Sequence, residues 1–140
     1  MIIDERLVTY INSLDTGNTE ILDTIEKEAL DTYVPIIRKE MQGFLKLLLA
    51  MKRPARILEV GTAVGFSAIL MAEYDPVECE ITTIENYEKR IPIARENFKR
   101  AGKEHQITLL EGDATEILKE LTGPYDFIFM DAAKGQYIHF

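Results

Sequence analysis

The chain has 140 residues, 46% of them hydrophobic and 29% charged, with a formal net charge of −8. That length suits one domain and that apolar share suffices for a core, whereas the acidic balance argues against nonspecific nucleic-acid binding by the whole surface. No apolar run is long enough to cross a bilayer, Met1-Ile2-Ile3-Asp4-Glu5-Arg6 lacks the layout of a secretory signal, and the single cysteine, Cys79, excludes an internal disulfide framework and suits a reducing cytoplasm.

Residues 1–53 read as helical. Ile3, Leu7, Val8, Ile11 and Leu14 fall on one stripe, which Asp15-Thr16-Gly17-Asn18 breaks. Ile21, Leu22, Ile25 and Ala29 form a second stripe. After Pro35, Met41, Phe44, Leu45, Leu48 and Leu49 form a third, which Pro54 closes. From residue 54 onward strands alternate with helices. Ile57–Val60 reads as a buried strand, Phe66–Tyr74 as a helix and Ile81–Glu85 as a second strand. Pro92 belongs in the first turn of the next helix, with Ile91, Ala94, Phe98 and Ala101 on its apolar face and Gly102 just past its end. Ile107–Leu110 is a third strand, Thr115 is expected to cap a helix carrying Ile117, Leu118 and Leu121, and Gly123-Pro124 turns into a fourth strand within Tyr125–Asp131.

The expected fold class is therefore α/β, a four-stranded parallel sheet covered on both faces by right-handed crossovers and preceded by N-terminal helices, within one domain over residues 1–140. A strand as apolar as Phe127–Met130 normally lies between two neighbours, and nine residues follow Asp131, so C-terminal strands of the complete domain are expected to be missing. Met51, Met71 and Met130 read as core filler, and Cys79 as a packing residue.

Acids stand at the ends of all four predicted strands: Glu59, Glu85, Asp113 and Asp131. In an open parallel sheet those ends share one crevice, and ligands bind there. The first strand leads into Gly61-Thr62-Ala63-Val64-Gly65, which is neither a phosphate-binding P-loop nor a close match to G-x-G-x-x-G. Gly61 and Gly65 permit close backbone approach and open a helix whose N-terminal N–H groups favour a carboxylate. Ser67 adds a hydroxyl donor there. Glu85, at the end of the second strand, is placed to accept both hydroxyls of a ribose. Glu59 has two readings, contact with the ligand or with the loop's own backbone.

The blocks Leu58-Glu59-Val60-Gly61-Thr62-Ala63-Val64-Gly65-Phe66-Ser67, Thr83-Ile84-Glu85, Glu111-Gly112-Asp113-Ala114 and Met130-Asp131-Ala132-Ala133-Lys134-Gly135-Gln136-Tyr137 together resemble the class I S-adenosylmethionine (SAM)-dependent O-methyltransferases of the catechol and caffeoyl-CoA type, with a Rossmann-like fold. Within them the nearest likeness is to the bacterial branch that methylates 5-hydroxyuridine in tRNA. The resemblance implies that Ile37, Gly61, Gly65 and Ser67 hold the methionine end of SAM, that Glu85 holds the ribose, and that Asp113 and Ala114 flank the adenine. It places Asp131 near the sulfonium, as one ligand of Mg²⁺, and Lys134 as the residue assisting deprotonation of the acceptor. The family's Asp-Asn pair, which would complete the metal site, has no counterpart here, so the 140 residues are expected to bind SAM weakly and not to methylate unaided.

The acceptor is expected to be a hydroxylated uridine of tRNA or a small vicinal diphenol; a basic face of Lys52, Arg53 and Arg56 beside the cleft mouth would favour RNA. A non-catalytic module that dimerises, by edge pairing of Phe127–Met130, is the alternative of a different class.

Overall fold

A computed structural model of the protein describes residues 3–131. Three helices come first: α1 (Glu5–Ser13), α2 (Glu20–Asp31) and α3 (Lys39–Lys52). Then β1 (Arg56–Val60), α4 (Phe66–Tyr74), β2 (Glu80–Glu85), α5 (Ile91–Arg100), β3 (Ile107–Glu111), α6 (Ala114–Glu120) and β4 (Phe127–Met130) alternate. The strand order is β3-β2-β1-β4 and every pair is parallel. The chain steps outward from β1 to β2 to β3, then returns across the sheet to β4. This reversal places α4 and α5 over one face and α6 over the other.

Alternation along the strands fills both layers. Ile57, Ile81, Ile107 and Phe129 join Ile69, Met71, Ala94 and Phe98 in the larger core, to which α2 and α3 add Leu22, Ile25, Ala29, Leu45 and Leu49. Leu58, Val60 and Ile84 point the other way, toward Ile117 and Leu118 of α6. Local chemistry closes the elements. Pro92 sits in the first turn of α5, where its missing N–H costs nothing. At the other end Gly102 takes φ +68, its N–H donates to Lys99 O and that of Lys103 to Phe98 O, which is a complete Schellman ending.

Several expectations need correction. Asp113, not Thr115, caps α6: its Oδ1 accepts the Thr115 N–H at 2.7 Å. The strand within Tyr125–Asp131 narrows to Phe127–Met130, because the Asp126 carboxylate instead accepts the N–H groups of Ala55 and Arg56 at 2.8 and 3.0 Å. The α1 stripe is not buried: Ile3, Leu7, Ile11 and Leu14 are 43–63% exposed, and Phe44, Leu47 and Met51 of α3 are exposed as well. Met71 is core, but Met51 and Met130 are not. Cys79 is buried, and that burial pushes its thiol up to about 12, so it is inert packing at neutral pH.

Candidate cofactor cleft

The strand order reverses between β1 and β4, and ligand crevices of open α/β sheets form at such switch points. The segment from Gly61 to Gly65 crosses this point with φ of +101, +49 and +89 at Gly61, Ala63 and Gly65. It is fixed from several sides. Gly61 and Thr62 donate to Ile84 O at 3.0 and 3.2 Å, Gly65 donates to Thr62 O at 2.9 Å, and Asn97 Nδ2 donates to Val64 O at 2.7 Å. Glu85 Oε2 accepts the Ala63 N–H at 2.8 Å, while Oε1 accepts those of Asn86 and Tyr87 at 3.0 Å each. Gly65 is the N-cap of α4, and a Cβ there would lie 2.6 Å from Phe98 Cε1, so the glycine also lets α4 settle onto α5.

Beneath the loop runs a buried chain of oxygens. Glu59 is fully buried and accepts the hydroxyls of Ser67 and, at 2.6 Å, Thr83; the Thr83 hydroxyl is in turn 2.6 Å from that of Thr62. Burial raises the Glu59 carboxyl to about 7; the Ser67 and Thr83 bonds oppose the rise, and the charges of Asp131 and Glu85 add to it.

Above lies a cleft of about 720 Å³, within the usual range for a small-molecule site. Ile37, Gly61, Ser67 and Asp131 line it. Glu59 and Glu85 lie behind that lining, one under Ser67 and the other bracing the loop. Asp113 and Ala114 follow β3, two strands from β1, where Asp113 caps α6 and Ala114 packs against the layer of Leu58, Val60 and Ile84. Lys134 and Tyr137 lie outside the described residues. Lys52, Arg53 and Arg56 stand before or at the start of β1, at the amino edge of the sheet and away from the cleft; Arg56 there donates to Pro124 O. The basic face that would have favoured RNA is therefore not at the cleft mouth.

Three supporting residues have no role in the sequence-based expectations, although Thr83 lies within a block that carries the resemblance. Thr83, Asn97 and Gln42 are buried, and Gln42 donates to Ile37 O at 2.8 Å, holding the segment that forms the cleft wall. Each carries a readable signal: a polar residue on the apolar face of its element, two after Ile81, three after Ala94 and three before Leu45. The described residues hold no cluster of three potential metal ligands, and Asp131 alone does not meet the oxygen-rich coordination Mg²⁺ requires.

The family model described as O-methyltransferase matches residues 12–140. The chain belongs to the O-methyltransferase family. A catechol O-methyltransferase of Niastella koreensis is 38% identical over 99% of this chain and 65% of its own length. A caffeoyl-CoA O-methyltransferase of Medicago sativa is 34% identical over 69% of this chain and 42% of its own. The chain thus spans about two-thirds or less of the length of these relatives. The SAH-bound Podospora anserina methyltransferase PaMTH1 superposes with a TM-score of 0.86 at 31% identity, covering 96% of this chain and 59% of that one. TomG of Streptomyces achromogenes, solved with SAM, superposes with a TM-score of 0.80 at 28% identity, covering 97% and 65%. The O-methyltransferase fold expected from the sequence is the one observed.

Proposed function

We propose that this O-methyltransferase chain binds SAM across the switch point and serves methyl transfer to a hydroxyl oxygen of a small hydroxylated aromatic. The observation that carries this is the loop Gly61–Gly65, tied to Glu85 on one side and opening α4 with Ser67 on the other, above a cleft ending at Asp131. Both relatives described above are named for small hydroxylated acceptors. The displaced basic cluster removes the feature that would have argued for tRNA.

In this reading the methionine carboxylate sits on the unpaired N–H groups at the start of α4, with the Ser67 hydroxyl beside it. Glu85 offers about four acceptor directions. Three are taken by backbone N–H groups, so the remaining one is left for a ribose hydroxyl. Gly61, Gly65 and Ile37 shape the methionine end, and Asp113 and Ala114 mark the adenine side. The acceptor oxygen attacks the methyl carbon in line; the O–CH₃ bond forms as the S⁺–CH₃ bond breaks, leaving neutral SAH, and the hydroxyl proton passes to a base, the role assigned to Lys134. Alignment alone supplies roughly 7–11 kcal/mol of such a barrier. Asp131 sits by the sulfonium and favours its positive charge.

The exposed stripes on α1 and α3 support self-association as a homodimer, which sedimentation would measure, and the free Cys79 suits the cytoplasm. Calorimetric titration with SAH tests the reading. Binding is expected, and Ser67→Ala and Glu85→Ala each weaken it about tenfold, the worth of one hydrogen bond to a charged group. Absence of SAH binding by the folded chain overturns the reading.

A further inference from the structure

The hydroxyl protons beneath the loop have one destination. A serine or threonine hydroxyl carries a single proton and two lone pairs. Ser67 gives its proton to Glu59 Oε2, and Thr83 gives its own to Oε1 at 2.6 Å. Thr83 then has none left for Thr62, 2.6 Å away, so Thr62 is the donor of that pair. All three hydroxyls point their protons inward, toward one carboxylate. Thr62 and Ser67 also line the cleft. With Glu59 ionised, the oxygens they present there accept hydrogen bonds and donate none.

That polarity opposes the ligand group assigned to this spot. Ser67 is the second residue of α4, among N–H groups that have no acceptor within the helix and suit a carboxylate. A carboxylate only accepts, so a serine oxygen whose proton is spent elsewhere meets it lone pair to lone pair. One added proton removes the conflict. Held on Glu59 Oε2, it donates to Ser67 Oγ and frees the serine proton for the cleft, while Oε1 still accepts from Thr83 and keeps the carboxyl oriented. The surroundings favour such a proton. Glu59 is fully buried, and the charges acting on it, Asp131 beyond β4 and Glu85 at the end of β2, are both acidic. Its remaining neighbours are neutral: Phe129 in register on β4, Thr83 on β2, and Ser67 on α4. Burial holds the carboxyl at about 7, close to half-protonated at neutral pH.

We propose that Glu59 is a positioning residue that takes up one proton from solvent as the cofactor binds, turning Ser67 from an acceptor into a donor for the cofactor's carboxylate. The inference rests on the SAM-binding reading above and deepens it. Glu59 touches no part of the ligand; it acts through the serine. Because the complex holds the proton more tightly than the free chain does, affinity is highest where Glu59 is already protonated and falls as pH rises past 7.

The test is calorimetric titration with SAH at pH 6, 7 and 8, each in two buffers of different ionisation enthalpy, which counts the protons exchanged. The wild-type chain should take up about 0.9 proton at pH 8 and about 0.1 at pH 6, the fractions of Glu59 ionised before binding. Its affinity should fall about fivefold from pH 7 to pH 8 and only about twofold from pH 6 to pH 7. Glu59→Gln presents one donor and one acceptor at every pH, so it should bind SAH without that uptake and with an affinity that stays level across the range. Ser67→Ala should bind more weakly and also lose the uptake, because the proton then has no hydroxyl to redirect; a carboxyl that only braced the fold would keep its proton count. The amine of SAH is common to all three titrations and cancels in the differences. No uptake at pH 8 by the wild-type chain, or release of a proton, would put the cofactor's ammonium rather than its carboxylate on Ser67 and overturn the inference, a check that needs no variant to fold. Uptake undiminished in Glu59→Gln or in Ser67→Ala, or loss of SAH binding by folded Glu59→Gln, would overturn it as well. Failure of the wild-type chain to bind SAH at any of these pH values is a separate result, which removes the proposed function beneath this inference.

Discussion

Replacing Glu59 with glutamine should stabilise the cofactor-free protein at pH 8 and flatten its pH dependence between pH 5 and 7. An unfolded glutamate titrates near 4.5, and burial moves this one to about 7. Below 4.5 the carboxyl is protonated in both states. Between the two values only the folded state holds the proton, so unfolding releases it and stability falls as pH rises; above 7 both states are ionised and the loss is complete. At about 1.4 kcal/mol per pH unit, the rise from 4.5 to about 7 corresponds to about 3 kcal/mol. Glutamine has the same shape without the charge, and its amide can donate to one hydroxyl of the Ser67–Thr83 pair and accept from the other. For a chain of 140 residues, about 3 kcal/mol amounts to roughly 10 °C in Tm. Asp4, Glu28 and Asp126 do not mask the effect. Hydrogen bonds from Arg6, from Arg100 and from the Arg56 backbone hold their carboxyls below the ordinary range, so their contributions change at lower pH. Thermal melts followed by circular dichroism at pH 5 and pH 8, at constant ionic strength, provide the measurement. A variant whose stability falls as steeply as the wild type's, or that is less stable at pH 8, refutes the reasoning.

Gly65→Ala should destabilise the protein by about 2–4 kcal/mol, through both the +89° φ and the overlap of its Cβ with Phe98. Chemical denaturation measures it, and Phe98→Leu in the same background should recover part of the loss. Asp113→Ala should cost about 1 kcal/mol by uncapping α6, and Asp113→Asn should cost far less. If the two substitutions prove equal, the cap is not what Asp113 contributes to stability. Thr83→Val should weaken SAH binding several-fold, because it removes one of the two hydroxyls that hold Glu59 beneath the loop, while leaving the core volume intact. Unchanged SAH affinity in that variant would separate the buried oxygen chain from the cleft.

The sequence revealed most where one element's own pattern decides the outcome. Phe66–Tyr74 lies between a glycine turn and a polar break, and its limits are as expected. Strand ends moved by one residue where a polar side chain joins the ladder, at Arg56, Glu80 and Glu111, since pairing is a property of the backbone and not of hydropathy. What lay beyond local reading was whatever depends on a second element. Phe44 and Met51 look like core, but no described element covers their side of α3. Ile128 and Met130 likewise occupy the sheet face that α6 serves, on an edge strand that α6 does not cover. Glu59 was visible as an acid at a strand end; its two hydroxyl donors come from α4 and β2, and only the folded sheet brings them together. Likewise Lys52, Arg53 and Arg56 are adjacent in sequence, but the direction of β1 decides which end of the sheet they occupy.

The most direct measurement is a crystal structure of the chain with SAH. The adenosine should lie against the carboxyl ends of β1 and β2 with a ribose hydroxyl on Glu85, and the methionine end should rest on the start of α4 beside Ser67. SAH bound in the groove between α5 and β3 lined by Pro92 and Lys99, with the cleft beside Asp131 empty, would contradict the account.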